Sequence, residues 1–249
     1  MRTYLTLATA MAAIFLSTAA YAQDDSGDDT GFYAGLSVGL ASVQDTDIRY
    51  YDAGGTFGGT GAMDSVDGHI DTKSAAEFKG VLGYDFGMIR GDLEVAYQRN
   101  KASALTIDKV NGSAVTLDAG DAADVCDYLE ATGCSVSGNT IAFGGGSRVR
   151  QLTAMANLWV DVPVGKVVTP YVGGGVGVAG FEIDGEGKAR FAWQVGAGVA
   201  FKLSDHVALT ADFRHREAKG GNLPYDASSG FTVGKIHTNS VSAGVRFTF

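Results

Sequence analysis

From residue 31 to the last residue the chain repeatedly alternates apolar with polar or small side chains. This period of two is the signature of strands with one apolar face. The closing stretch VSAGVRFTF shows it plainly. Val241, Ala243, Val245, Phe247 and Phe249 fall on one side, and Ser242, Gly244, Arg246 and Thr248 on the other. Eight such segments are predicted, over 31–43, 74–86, 89–101, 149–162, 167–180, 190–203, 207–216 and 236–249. Most run ten to fourteen residues, whereas strands of globular domains usually have about five or six. A tilted strand crossing the hydrocarbon layer needs about nine to eleven.

The connections follow their own rule. Two residues (87–88), four (163–166) and two (204–205) separate the second strand from the third, the fourth from the fifth and the sixth from the seventh. The intervening linkers are 44–73, 102–148, 181–189 and 217–235, of 30, 47, 9 and 19 residues. Short turns alternate with long loops, the habit of outer-membrane barrels, whose turns are periplasmic and whose loops face outward. An even strand count places both termini on the turn side. The fold class is therefore read as all-β, an eight-stranded antiparallel transmembrane β-barrel.

Polarity decides which face is inside. Eight strands leave a lumen only just wide enough for side chains. One face carries Phe78, Tyr84, Phe86, Tyr97, Phe191, Trp193, Phe201, Phe213, Phe247 and Phe249, which is too bulky for that space. Aromatics gather at strand ends, as girdles at membrane interfaces do. The other face mixes charges with Gly, Ala and Ser. We place it inside, with Glu77, Lys79, Asp92, Glu94, Asp212, Arg214 and Arg246 as an interior charge network whose opposite signs pair. Closure leaves no unbonded backbone edge in lipid.

Composition adds boundaries. Met1-Arg2, an apolar stretch over 5–16 and Ala20-Tyr21-Ala22 read as a secretory signal peptide over 1–22, cleaved before Gln23. Residues 23–30 form a short flexible acidic segment, and 31–249 the barrel. Gly is frequent (36) and Pro rare (3), without a collagen period. No run of eighteen apolar residues predicts a membrane helix. A net charge of −9 without a basic patch argues against a nucleic-acid partner. Cys126 and Cys134, in an exported chain, predict one local disulfide.

The openings GFYAGLSVGL and TPYVGGGVGVAG, the stretch FAWQVGAGVAFKLSDHVALTADFRHR and the closing VSAGVRFTF together resemble the small outer-membrane β-barrel proteins of Gram-negative bacteria, of the Omp25/opacity-protein type related to the OmpA membrane domain. The resemblance runs over 31–249. It implies that Val245, Phe247 and Phe249 form the C-terminal signal read by the barrel-assembly machinery. It also implies a cell outer membrane location, with outer-membrane lipid and lipopolysaccharide as surroundings. The loops would then meet a host or surface ligand. The long second loop with its cysteine pair departs from the family, and loop functions there carry no transferable motif.

Candidate chemistry is sparse. IHTNS brings His237 near Ser240, but on opposite strand faces, the wrong spacing for a nucleophile and its base. His215 and Glu217 share a face with no nearby serine. The loop-one aspartates Asp45, Asp47, Asp52, Asp64, Asp67 and Asp71 have no calcium-loop pattern and read as a solvated acidic loop. GGGS at 144–147 lacks the lysine and helix of a phosphate loop and reads as a hinge. No catalytic residue, metal site or cofactor is predicted. The function read from the sequence is a structural or surface-interaction barrel. A narrow solute pore and a lipid-modifying enzyme are the alternatives.

Overall fold

The computed structural model describes residues 30–53, 63–128, 131–145, 148–162, 164–183, 186–224 and 228–249. The predicted leader, nearly all of the acidic segment after it, and Pro163 lie outside the described residues. In chain order the elements are β1 Gly31–Val43, β2 Thr46–Asp52, β3 Asp64–Thr72, β4 Ala75–Asp85, β5 Ile89–Val110, β6 Ser113–Ala114, α1 Ala119–Tyr128, β7 Ser135–Ser137, β8 Thr140–Ala142, β9 Arg148–Asp161, β10 Val168–Ile183, β11 Glu186–Ser204, β12 Val207–Ala218, β13 Gly221–Pro224, β14 Ser229–Val233 and β15 Ile236–Thr248.

Eight of these strands form a closed antiparallel ring in the order β1-β4-β5-β9-β10-β11-β12-β15, and β15 returns to β1. All eight predicted segments appear in it. The register follows the alternation: Leu36, Val38 and Leu40 of β1 stand outside, as do Leu93 and Val95 of β5. Charged side chains point the other way. Leu36 is 73% exposed while Glu77 is 0% exposed, so the molecule is apolar outside and polar within. That inversion suits a strand ring bathed in lipid, where backbone groups bond only to each other. Aromatic rings collect at the turn end, where Phe32 meets Tyr84 edge-on at 4.9 Å and Tyr84 meets Phe86 at 4.7 Å.

The turns form for local reasons. After β4 the Asp85 carboxylate accepts a hydrogen bond from the Gly87 N–H at 2.9 Å, and Gly87 takes φ of +101°, a region L side chains rarely adopt.

At the opposite end the structure departs from the prediction of open loops. β5 runs for 22 residues, well past the predicted 101, and its second half leaves the ring to pair with β3 and β8. A second antiparallel sheet runs β13-β14-β2-β3-β5, extended through β8 to β7. The first, second and fourth long connections therefore fold together. β10 and β11 also continue past the predicted ends as a hairpin to Ile183 and Glu186. The loop-one segment read as solvated acid does contain period two, in Ile48 and Tyr50 and in Val66, Gly68 and Ile70. Its charges masked it, because a short strand with one exposed face tolerates aspartate on that face.

The second connection carries α1 and a small core of its own. Asp118 caps the helix: its carboxylate accepts from the N–H groups of Gly120 (2.7 Å) and Asp121 (3.0 Å), and Asp121 accepts in return from the Asp118 N–H at 2.9 Å. Ala122, Cys126 and Ile141 are buried there, with Leu117, Val136 and Phe143 against them. The Cys126–Cys134 disulfide joins α1 to the start of β7.

Candidate functional site

The lumen is filled by side chains that reach across it. Nearest the turns, Arg90 grips Asp161 with two hydrogen bonds of 2.7 and 2.8 Å, and its guanidinium lies over the Tyr171 ring at 4.9 Å. Above it Asp92 accepts from Tyr33 (2.9 Å), Trp159 Nε1 (2.9 Å) and Asn157 (2.7 Å). Next comes the densest layer. Lys79 donates to Asp212 at 2.8 Å, Arg214 donates to Asp212 at 2.9 Å and also bonds Glu94, and Ser242 donates to Asp212 at 3.1 Å. Arg216 reaches Glu77 at 3.3 Å and approaches Glu94 at 3.6 Å. Gln194 bridges Glu94 and Asn157 at 3.2 and 2.8 Å. A Gln98–Gln151 amide contact of 2.7 Å lies above these.

The seven residues singled out in the sequence occupy this space unequally. Glu77, Lys79, Asp92, Glu94, Asp212 and Arg214 are buried in the lumen. Asp92, however, is held by neutral donors rather than by a cation. Arg246 stands apart toward the turns: its guanidinium lies over Tyr33 at 5.6 Å, and its Nε and Nη1 have no hydrogen-bond partner among the described residues. Arg90, Asp161, Arg216, Gln194, Tyr33, Trp159 and Tyr171 complete the network and were not singled out. Parity along β5, β9 and β12 already put Arg90, Trp159, Asp161 and Arg216 on the inner face, and that signal was there to be used. Which partner each takes depends on strands far apart in sequence.

The glycine-rich strands make room for this packing. On β10 the inward positions are Tyr171, Gly173, Gly175, Gly177 and Ala179. A Cβ at Gly173 would come 2.7 Å from the Trp159 ring, and one at Gly198 of β11 would come 2.5 Å from the Tyr171 ring. The glycines are seats for the large inward side chains of neighbouring strands.

His237 and Asn239 face outward, whereas Thr238 and Ser240 point into the lumen and are buried. His215 bonds Asn239 at 2.8 Å and stacks on His237 with ring centroids 6.0 Å apart, and Trp193 lies 5.8 Å from His215. Glu217 pairs with Lys235 at 2.9 Å on the same outer surface. The wall of the barrel separates His237 from Ser240.

Among the loop-one aspartates, Asp67 pairs with Arg49, with one contact of 3.0 Å, and this guanidinium holds its carboxyl below the usual range. Asp45, His69 and Asp71 bring one ligand atom each within 4.8 Å of one another, and His69 also meets Asp108 at 3.3 Å. Burial, with a hydrogen bond and the charge of Asp45, pushes the Asp71 carboxyl above its usual range. Asp47 and Asp52 pair in register with His69 and Asp64 across β2 and β3. Asp64 accepts a hydrogen bond from Asn111 at 2.8 Å. Of the GGGS stretch, Gly145 bridges Thr132 and the last two residues lie outside the described residues. At the C-terminus Phe247 and Phe249 are exposed on the outer wall near the turns, and Val245 lies half-buried between β1 and β12.

Relatives share parts of this pattern. An uncharacterized protein of Brucella abortus (strain 2308) is 29% identical over 170 residues, covering 60% of this chain and 54% of the relative. The chain thus spans about half the length of such curated relatives. The 25 kDa outer-membrane immunogenic protein of Brucella canis is 31% identical over 88 residues, 33% of this chain and 39% of that protein. In three dimensions the chain is similar to Neisserial surface protein A, with TM-score 0.50 and 15% identity over 88% of this chain and 97% of that one. It is equally similar to the outer membrane protein OprG of Pseudomonas aeruginosa, with TM-score 0.50 and 13% identity over 90% and 99%. The outer membrane protein beta-barrel domain family matches residues 8–249, and the chain, an eight-stranded outer-membrane barrel, belongs to it.

Proposed function

We propose that the barrel is a closed anchor holding a folded surface sheet outside the cell, for envelope integrity or adhesion-like surface interaction, and that it catalyses no reaction. Both termini are then periplasmic, and the sheet of β13, β14, β2, β3 and the far half of β5 is extracellular. The observation carrying this reading is the bond between Arg214 and Glu94, side chains on opposite walls that meet inside the lumen. A barrel built to conduct would leave that path to water. Eight strands leave little space to begin with. The His237–Ser240 separation across the wall supports the non-enzymatic part of the reading.

Outer-membrane lipid and lipopolysaccharide contact the outer wall, the barrel-assembly machinery reads Val245, Phe247 and Phe249, and a surface ligand meets the sheet. The decisive experiment inserts a biotin-acceptor tag at the Gly138 turn and labels intact cells. Unboiled and boiled samples run on a mild-detergent gel alongside. Labelling together with a faster unboiled band, and no unitary conductance in planar bilayers, is expected. An inaccessible tag overturns the orientation, and steady ion conductance by the wild type overturns the closed anchor.

A further inference from the structure

Between the second sheet and the lumen lies a cavity of about 410 Å³. Its walls are largely apolar, with Ile48 and Ile70 from β2 and β3, Phe181 from β10, and Leu223, Phe231 and Val233 from β13 and β14. Nearby, the inward positions of β10, β11 and β12 carry Ala179, Ala192 and Ala218, buried around Met155 with Phe181 packed against them. One level lower β11 and β12 carry Gln194 and Arg216, which fill the lumen. On β11 and β12 the change from long polar side chains to alanine leaves space that the sheet above partly covers rather than fills.

Among the described residues, the charged groups at this cavity have one sign. The chain carries 28 acidic and 19 basic residues, yet among the described residues the lining contains Arg190 and Lys219 and no carboxylate. Lys219 turns its ammonium to the Phe191 ring at 5.5 Å. Arg190 donates to the Asn222 carbonyl at 3.3 Å and, among the described residues, meets no carboxylate. Gly221 makes room for its guanidinium, since a Cβ there would come 2.7 Å from Nε and Nη2. Gln151, which also lines the cavity, is 2% exposed, and its Nε2 has no hydrogen-bond partner among the described residues. A buried donor left unmade is costly, and an arriving oxygen removes that cost.

We propose that this cavity binds one long-chain monocarboxylate, with its alkyl chain against the apolar walls and its carboxylate oxygens received by Arg190 and the Gln151 amide. Ligand cavities run from about 300 to about 1,000 Å³, so this one holds a single chain rather than a multi-acyl lipid. Arginine forms charge-assisted hydrogen bonds with a carboxylate, and an uncharged head of the same length forfeits them.

The test uses the full mature protein in phospholipid nanodiscs, with dodecanoate labelled with ¹³C at the carboxyl. A bound carboxyl resonance that saturates at one equivalent is expected. Arg190→Gln should weaken binding about tenfold, and dodecanol should compete about tenfold less well than dodecanoate. Ile48→Trp, which fills the cavity from the second sheet, should abolish the resonance. Lys235→Gln, on the outer wall, should leave it unchanged. Gel heat-modifiability confirms that each variant is folded. A resonance that never saturates, or that survives Ile48→Trp in folded protein, overturns the site. Equal competition by dodecanol overturns the charged head. A phospholipid retained in native mass spectra and not displaced by dodecanoate overturns the single-chain assignment.

Discussion

Arg214 and Glu94 project from β12 and β5, strands four steps apart around a ring of eight, and bond each other inside the lumen. Because β12 and β5 share no ladder, this contact ties opposite walls directly. Removing Glu94 leaves Arg214 with Asp212, and Arg216 with Glu77 and the Gln194 amide. Glu94→Ala should therefore cost about 1.5–3 kcal/mol, since each arginine loses one charged partner and keeps another. Glu94→Leu combined with Arg214→Met should cost less than Glu94→Ala alone. Urea unfolding in lipid vesicles, followed by the heat-modifiable band, reads both. A double variant weaker than the single one would show that the ion pair itself holds the walls.

A methyl group at Gly198 would meet the Tyr171 ring. Gly198→Ala should destabilise the barrel by about 1–3 kcal/mol through overpacking. Adding Tyr171→Leu should recover part of that loss, with the same urea midpoint as readout. An unchanged midpoint for Gly198→Ala would mean that the ring yields freely.

The cap and disulfide of the second connection should protect it without stabilising the barrel. Asp118→Ala is expected to weaken α1 by about 1 kcal/mol. Cys126→Ser should increase proteinase K cutting within residues 119–145, while the urea midpoint of the barrel stays at its wild-type value. A shifted barrel midpoint in Cys126→Ser would contradict the local role.

Two carboxyls in the β2–β3 pair respond to pH with opposite signs. Asp67 is held below its usual range by Arg49, so its contribution is present above the unfolded value of about 3.9 and is lost as pH falls through the lower folded value. Asp71 is raised, chiefly by burial and then by Asp45. The folded state therefore favours its proton, and that favour disappears as pH rises from about 3.9 through the raised folded value. Asp71→Asn should accordingly increase amide-exchange protection at Ile48 and Ile70 at neutral pH and leave it nearly unchanged in acid. The amides must be corrected for intrinsic exchange rates. Lower protection in Asp71→Asn at pH 7 would reverse the sign.

Alternation was enough to find the eight ring strands and to turn their charged face inward. Period two is a local property, and the lumen of a small barrel excludes the bulky face by volume alone. The short turns after β4 and β11 were equally legible, because Asp85-Phe86-Gly87 and Ser204-Asp205 are turn chemistry. Other features depended on three dimensions. Arg246 lies over Tyr33 near the turns, where Asp161 is already gripped by Arg90. Trp159 and Tyr171 are inside because glycines on neighbouring strands leave them seats, a relation between residues far apart in the chain. The second sheet joins segments from three separate connections, and in the first of them aspartates masked the period two of β2 and β3. The cavity beneath it exists only because that sheet covers alanines of β10, β11 and β12. Sequence by itself determined the ring and its polarity, since both follow from neighbours along the strand. Tertiary structure alone decided the partners across the lumen and the partly covered cavity above it, since both arise where distant strands meet.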